Sequence, residues 1–262
     1  MTDIREALEA IRKQAPERLQ ESWDNSGIQI LTDADAKVSK ILTCLEIESS
    51  VVDEAVENNV QLIVTHHPLI FSKINTIRDD DPEGAQIIRL IQNGISVYSA
   101  HTSFDSAPRG TNQDLAEKLM LNDIVPMYPD DDDPEAGMGR YGRYSEPVPF
   151  DVFQKRLADV CGADGMRIAG IKPEYVRLVG LCTGAGAEFA DDAAENGADV
   201  YITGDVKYHE ARHISDIGFC VIDAGHYGTE FLFAENMASL LREELGEKSE
   251  VIASKSDINP FI

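Results

Sequence analysis

The sequence is poor in basic residues. Lys and Arg number 23 against 47 Asp and Glu, a formal net charge of −24 over 262 residues. A surface this acidic repels phosphate backbones, which argues against broad nucleic-acid binding. An anionic substrate would then need local positive charge, such as a metal ion. Long apolar runs are also missing. Stretches such as QLIV and VRLVGLC fall far short of the about 20 residues a membrane span needs. The opening MTDIREALEAIRKQAP has no apolar leader core and no small-residue cleavage site. It reads as a helix, and a cytoplasmic location is expected. Cysteine is scarce: Cys44, Cys161, Cys182 and Cys220 are widely spaced, with no C-x-x-C pair. That argues against a zinc ribbon or a thioredoxin-type site and for reduced core thiols. Neither a P-loop nor a guanine-reading N-K-x-D motif occurs. The run DDDDP (Asp130 to Pro134) lacks calcium-loop spacing and reads as a solvated loop or linker.

What is present is a globular composition, 43% apolar. Helical and strand-like segments alternate. TDIREALEAI, SSVVDEAVENN, GAQIIRLIQNG and TNQDLAEKLML read as helices; GIQIL, KILTCLEI, QLIVT and ISVYSA read as strands. Such alternation predicts parallel βαβ units. The pattern dissolves from Asn122 to about Pro149, where a domain crossing is placed. It resumes with the helix FDVFQKRLADVC, the strand YVRLVGLC, the helix GAEFADDAAENG and the strands DVYIT and FCVIDA. A long helix then runs from about Thr229 to Leu245, and EVIAS reads as a closing strand.

Chemistry-bearing residues collect just past predicted strands. IVT leads to His66 and His67, and VYSA leads to His101 and Asp105. VYITG leads to Asp205, Lys207 and Tyr208, and VIDAG leads to His226 and Glu230. In open parallel sheets ligands gather at the carboxyl ends of strands. A fifth end, VRLVGLC, leads only to Gly184 and Gly186. A lone histidine there is ordinarily a loop residue, but four of five ends carrying His, Asp or Glu point to a site. Successive strand side chains alternate, so His66 and His67 are expected to splay and serve two ions. His226 and Glu230, four apart, face one point if a helix starts near Gly228. Together His66, His67, Asp105, His226 and Glu230 suit two divalent ions, with Zn, Mn and Fe all compatible. The turn CTGAGAEF has two readings, a phosphate cradle or a tight strand-to-helix turn. Trp23 reads as core or interface, Asp24 and Asn25 as turn caps, and His213 is given no role.

The segments SWDNSG, VTHHPLIF, SAHTSFDSAPRGTNQDLAE, ADVYITGDVKYHEA and IDAGHYGTE, in order over residues 23 to 230, resemble the motifs of the Nif-three-like family. Its bacterial members are often labelled GTP cyclohydrolase I type 2 homologues. The resemblance implies two interlinked α/β domains with mixed, largely parallel sheets: residues 1–125 plus 225–262, which bind metal, and 126–224. It also implies a minimal form without an inserted mid-chain domain. It implies a dinuclear centre on the same five residues and a homohexameric toroid. Ser103, Phe104, Glu46 and the segment SGIQIL depart from the common pattern, which bears on the pocket wall and not on the five ligands. The expected function is that of a metal-dependent hydrolase. It would act on a nucleotide, a phosphoester or a pterin precursor through metal-activated water. Glu230 would bridge the metals, with His67 and Asp105 on one and His66 and His226 on the other. His101 would shuttle a proton, and Lys207 and Tyr208 would orient a small anionic substrate. The alternative is a non-catalytic ring that stores or delivers metal, or binds a partner.

Overall fold

The computed structural model describes residues 1–162, 165–256 and 258–261. They form two compact units, Met1–Phe104 with Phe233–Ile262, and Asp105–Leu232. The first unit holds a five-stranded sheet. Its order is Glu250–Ala253, Lys40–Cys44, Leu62–Thr65, Ser96–Ser99 and Gly27–Ile30. The first three pairings are parallel and the last is antiparallel. Leu62–Thr65 and Ser96–Ser99 are buried at every position, as expected of parallel strands covered on both faces. The βαβ reading fits this sheet, and EVIAS does close it.

The helices of this unit follow from local chemistry. Ile4–Gln14 buries Ile4, Leu8 and Ile11 on one stripe. Pro82–Gln92 starts with Pro at its first turn, and the Asp81 side chain accepts a hydrogen bond from the Gly84 amide at 3.0 Å. No described helix is long and apolar enough to cross a membrane.

The second unit holds a six-stranded sheet. Its order is Asn122–Pro129, Gly137–Pro149, Tyr175–Leu181, Val200–Thr203, Cys220–Asp223 and Arg167–Gly170. The three strands Tyr175–Leu181, Val200–Thr203 and Cys220–Asp223 pair in parallel; the outer pairings are antiparallel. The sheets are thus mixed, and this one is parallel only at its centre.

Residues 122–149, patternless in sequence, form a β-hairpin. Pro126 and Pro129 hide the first strand, yet it lies at the sheet edge, where a missing amide is tolerated. The acidic run is the hairpin loop, as read. Asp130 folds it by accepting from the Asp132 and Asp133 amides. The unit boundaries at 104/105 and 232/233 differ from 125/126 and 224/225 because Thr111–Lys118 packs on the second sheet and Leu232 packs against the same core. In that helix Leu115 and Ala116 join this core with Phe153, Leu157, Val179 and Ile202.

All four cysteines are buried and unbridged. Burial pushes the Cys44 and Cys161 thiols up to about 12 and Cys220 up to about 11, and it raises Cys182 well above its ordinary value. Thiolates are therefore absent at neutral pH. Ellman's reagent is expected to label no cysteine in the native protein and all four in denaturant. A fast-reacting native thiol would contradict this burial.

Candidate metal centre

In the first unit, two parallel neighbouring strands end in register, Thr65 beside Ser99. The ladder runs on briefly: the His66 amide donates to the Cys44 carbonyl at 3.1 Å, and the His67 amide to Leu45 at 2.9 Å. The side chains that follow are His66, His67 and His101. Their rings lie close, with centroids 5.2 Å apart for His66 and His67, 5.2 Å for His66 and His101, and 5.8 Å for His67 and His101. One ligand nitrogen from each lies within 4.8 Å of the others. The rings of His66 and His67 stand just past the strand end at Thr65, with their planes inclined by 38°.

The imidazoles are oriented from behind. His66 is fully buried, and its Nδ1 donates to the Ala100 carbonyl at 2.9 Å. His101 Nδ1 donates to Asp24 Oδ1 at 2.7 Å. Each arrangement leaves Nε2 as the ligand or proton-exchanging atom. Asp24 also accepts from Ser26 Oγ at 2.8 Å, from the Thr102 amide at 3.1 Å and from Thr102 Oγ1 at 2.5 Å. Burial alone would raise its carboxyl. The hydrogen bonds from His101 and Thr102 overturn that and hold it well below the ordinary aspartate range. Asp24 therefore does more than cap a turn. Its link to His101 spans 77 positions, which no local pattern reports. Only its place in SWDNSG hinted at a role.

In the second unit, the strand Cys220–Asp223 leads through Ala224 and Gly225 into the helix His226–Glu230. The helix starts at His226, two residues earlier than predicted, so His226 and Glu230 do share a face. His226 Nε2 lies 3.0 Å from Glu230 Oε2. His226 Nδ1 donates to Asp205 Oδ2 at 2.8 Å. Asp205 sits at φ +54, just past the strand Val200–Thr203. Sequence reading placed Asp205 at a strand end but gave it no task; here it orients His226. Asp105 is buried. It accepts from Thr111 Oγ1 and from Thr183 Oγ1 at 3.4 Å, and its carbonyl accepts from Asn112 Nδ2 at 3.1 Å.

The turn CTGAGAEF passes close to the Glu230 carboxylate. Its Gly184 amide donates to Thr229 Oγ1 at 3.0 Å and its Gly186 amide to Thr203 Oγ1 at 2.9 Å. These amides serve the protein, which favours the tight-turn reading over a phosphate cradle. A Cβ on Gly184 would stand 2.3 Å from Glu230 Oε1, at φ +68. Gly197 has a similar φ, +79, but open space around it. Both Gly→Ala changes are expected to cost about 1–3 kcal/mol of backbone strain, read from the urea midpoint. Only Gly184→Ala should also lower bound metal, because only it displaces Glu230. Equal metal content in the two variants would separate the turn from the site.

Lys207 and Tyr208 stand exposed at the start of the helix Tyr208–Ile217, where Glu210 accepts from the Lys207 amide at 2.7 Å. His213 pairs with Asp191 at the surface. The first unit thus gathers three histidines able to hold a metal ion, and the second pairs His226 with Glu230; imidazole and carboxylate donors suit borderline divalent ions.

The model of the Duf34/NIF3 (NGG1p interacting factor 3) family matches residues 2–260. A Clostridium perfringens protein named GTP cyclohydrolase 1 type 2 homolog is 35% identical over 261 residues, covering 100% of this chain and 98% of its own. A Helicobacter pylori protein named GTP cyclohydrolase 1 type 2 is 33% identical over 241 residues, covering 92% of each. The crystal structure of a Bacillus cereus protein related to NIF3 matches the fold with a TM-score of 0.93. Its identity is 22%, and the match covers 100% of this chain and 99% of that one.

Proposed function

Because the chain belongs to the Duf34/NIF3 family, we propose that it holds a pair of divalent metal ions. We propose further that it uses them as a hydrolase of a nucleotide, a phosphoester or a pterin precursor. The observation that carries this reading is the histidine trio of the first unit, whose ligand nitrogens gather at the carboxyl ends of two parallel strands. The proposed ligands are His66 and His67 from that unit, with Asp105, His226 and Glu230 from the other. Fe, Mn and Zn all remain candidates.

The residues fit such ions. Imidazoles whose Nδ1 atoms are engaged by Ala100, Asp24 and Asp205 match the outer-shell pattern that orients metal-ligating histidines. Gly184 keeps space clear beside Glu230. Bound ions would supply Lewis-acid activation of water and of a substrate oxygen. The chain's own groups divide the remaining work. Glu230, with two carboxylate oxygens, would help to hold both ions. His101, held by Asp24, exchanges a proton through Nε2. Lys207 and Tyr208 are proposed to meet the anionic part of the substrate. The names of the Clostridium and Helicobacter relatives support a cyclohydrolase-type reaction. The proposal extends to a cytoplasmic homohexamer, and the net charge argues against broad nucleic-acid binding.

The test is His101→Gln in metal-loaded protein, assayed on a panel of nucleotides and phosphoesters. The variant is expected to keep its metal and lose about 10²- to 10⁴-fold in turnover, the size of a general acid–base contribution. Loss of metal together with turnover would make His101 a ligand instead. A wild-type protein that keeps its metal and turns over nothing would move the reading to the non-catalytic ring.

A further inference from the structure

Trp23 is the single tryptophan of the chain, and it is 60% exposed. Phe71 is 53% exposed. Scattered surface apolar residues mean little, but these two are not scattered. Their rings meet edge to face with centroids 6.2 Å apart. Each also stands edge-on to His101, Trp23 at 6.0 Å and Phe71 at 6.3 Å. All three residues belong to the first unit, so two large exposed rings adjoin the histidine trio.

The backbones beneath the rings are fastened. Asn25 Nδ2 donates to the Ile70 carbonyl at 2.6 Å, and the Ile70 amide donates to Gln29 Oε1 at 3.0 Å. Gln29 Nε2 donates back to the Asn25 carbonyl at 2.7 Å. This amide clasp joins the turn carrying Trp23 to the loop carrying Phe71. Asp24, next to Trp23, is anchored on His101 and Thr102. A protein that needed the indole for its core would bury it. Here the chain spends several hydrogen bonds to hold two rings still while leaving their faces to solvent. Rigid aromatic faces with low conformational entropy are suited to stacking a planar ring.

The geometry points to Trp23 and Phe71 as a stacking platform that receives a planar heteroaromatic ring of the substrate beside His101, and so sets substrate class. This rests on the metal-centre reading only for the chemistry that the ring is held next to. The chain's single tryptophan makes the test direct, since its emission reports this residue alone. The protein is titrated with the four ribonucleoside monophosphates and with ribose 5-phosphate, which has the same phosphate and sugar without a ring. Base stacking on aromatic residues tolerates any base. Saturable quenching by the nucleotides and none by ribose 5-phosphate is expected. Phe71→Ala, read by the same quenching, and Trp23→Ala, read by calorimetry, are each expected to weaken nucleotide binding about tenfold. Both positions are exposed, so both variants should fold, which circular dichroism checks.

The proposal is overturned by no quenching by any nucleotide, by an equal response to ribose 5-phosphate, or by unchanged affinity in both variants. Light scattering that shows Trp23→Ala breaking an oligomer whose wild-type emission is blue-shifted would also overturn it, by assigning the rings to a contact with a second copy. Metal content is measured on the same samples. Metal without quenching refutes the platform and leaves the metal centre standing; quenching without metal does the reverse.

Discussion

Glu230→Gln is expected to lower affinity for divalent metal by at least about tenfold while leaving the metal-free fold intact. Glutamine keeps the size of the side chain and one acceptor oxygen but removes the charge and the second carboxylate oxygen. Glu230 is 3% exposed, with its Oε2 3.0 Å from His226 Nε2 and its Oε1 against Gly184. A buried carboxylate is costly to desolvate unless it is paired or bound to a metal. If its purpose is ligation, the metal-free variant should be as stable as the parent or more stable. If its purpose is structural, glutamine should destabilise the metal-free fold. The two readings therefore predict opposite shifts of the urea midpoint under chelation. Full metal retention by Glu230→Gln would remove Glu230 from the ligand set.

The second large effect is expected at Arg140. Its side chain is fully buried in the second unit. The guanidinium donates to Gln113 Oε1 at 3.0 Å and to the carbonyls of Gly137, Gly139 and Ala107 at 2.6, 2.8 and 2.9 Å. One side chain thus ties the segment after Asp105 to the base of the hairpin. Burial pulls its pKa down to about 10, against the nearby Cys182 and Asp105, so it remains charged at neutral pH. Arg140→Met leaves several buried carbonyls without a donor. The expected loss is roughly 3–5 kcal/mol, a large share of the about 5–15 kcal/mol that holds a typical protein folded. Arg140→Lys keeps the charge but not the planar fork, and should recover only part of it. Urea unfolding followed by circular dichroism measures both. A loss under about 1 kcal/mol in Arg140→Met would mean that water replaces the guanidinium at those carbonyls.

Arg140 also illustrates why part of the structure was illegible in sequence. In MGRYGRY an arginine reads as surface charge, and the glycines and prolines around it erase strand alternation. Yet Gly142 sits where a Cβ would crowd Leu121, and the prolines fall on an edge strand. The hairpin is decided by tertiary packing that a local pattern does not contain. Strand ends were legible because their apolar runs are buried on both faces and stop abruptly at His66, His101 and Asp205. The gathering of His101 with His66 and His67 was not, because it depends on two strands that end in register. The partners Asp24 and Asp205 were found at the right motifs but without their tasks, since 77 and 21 positions separate them from the histidines they orient.

The central proposal is a pair of divalent metal ions, with His66, His67, Asp105, His226 and Glu230 as the proposed ligands. Its most direct test is the metal content of protein purified without a metal-binding tag and without chelator. The account predicts about two ions per chain of one dominant element, as in two-metal hydrolytic sites. Protein that carries no metal, and takes up none when offered Mn²⁺, Fe²⁺ or Zn²⁺, would contradict it.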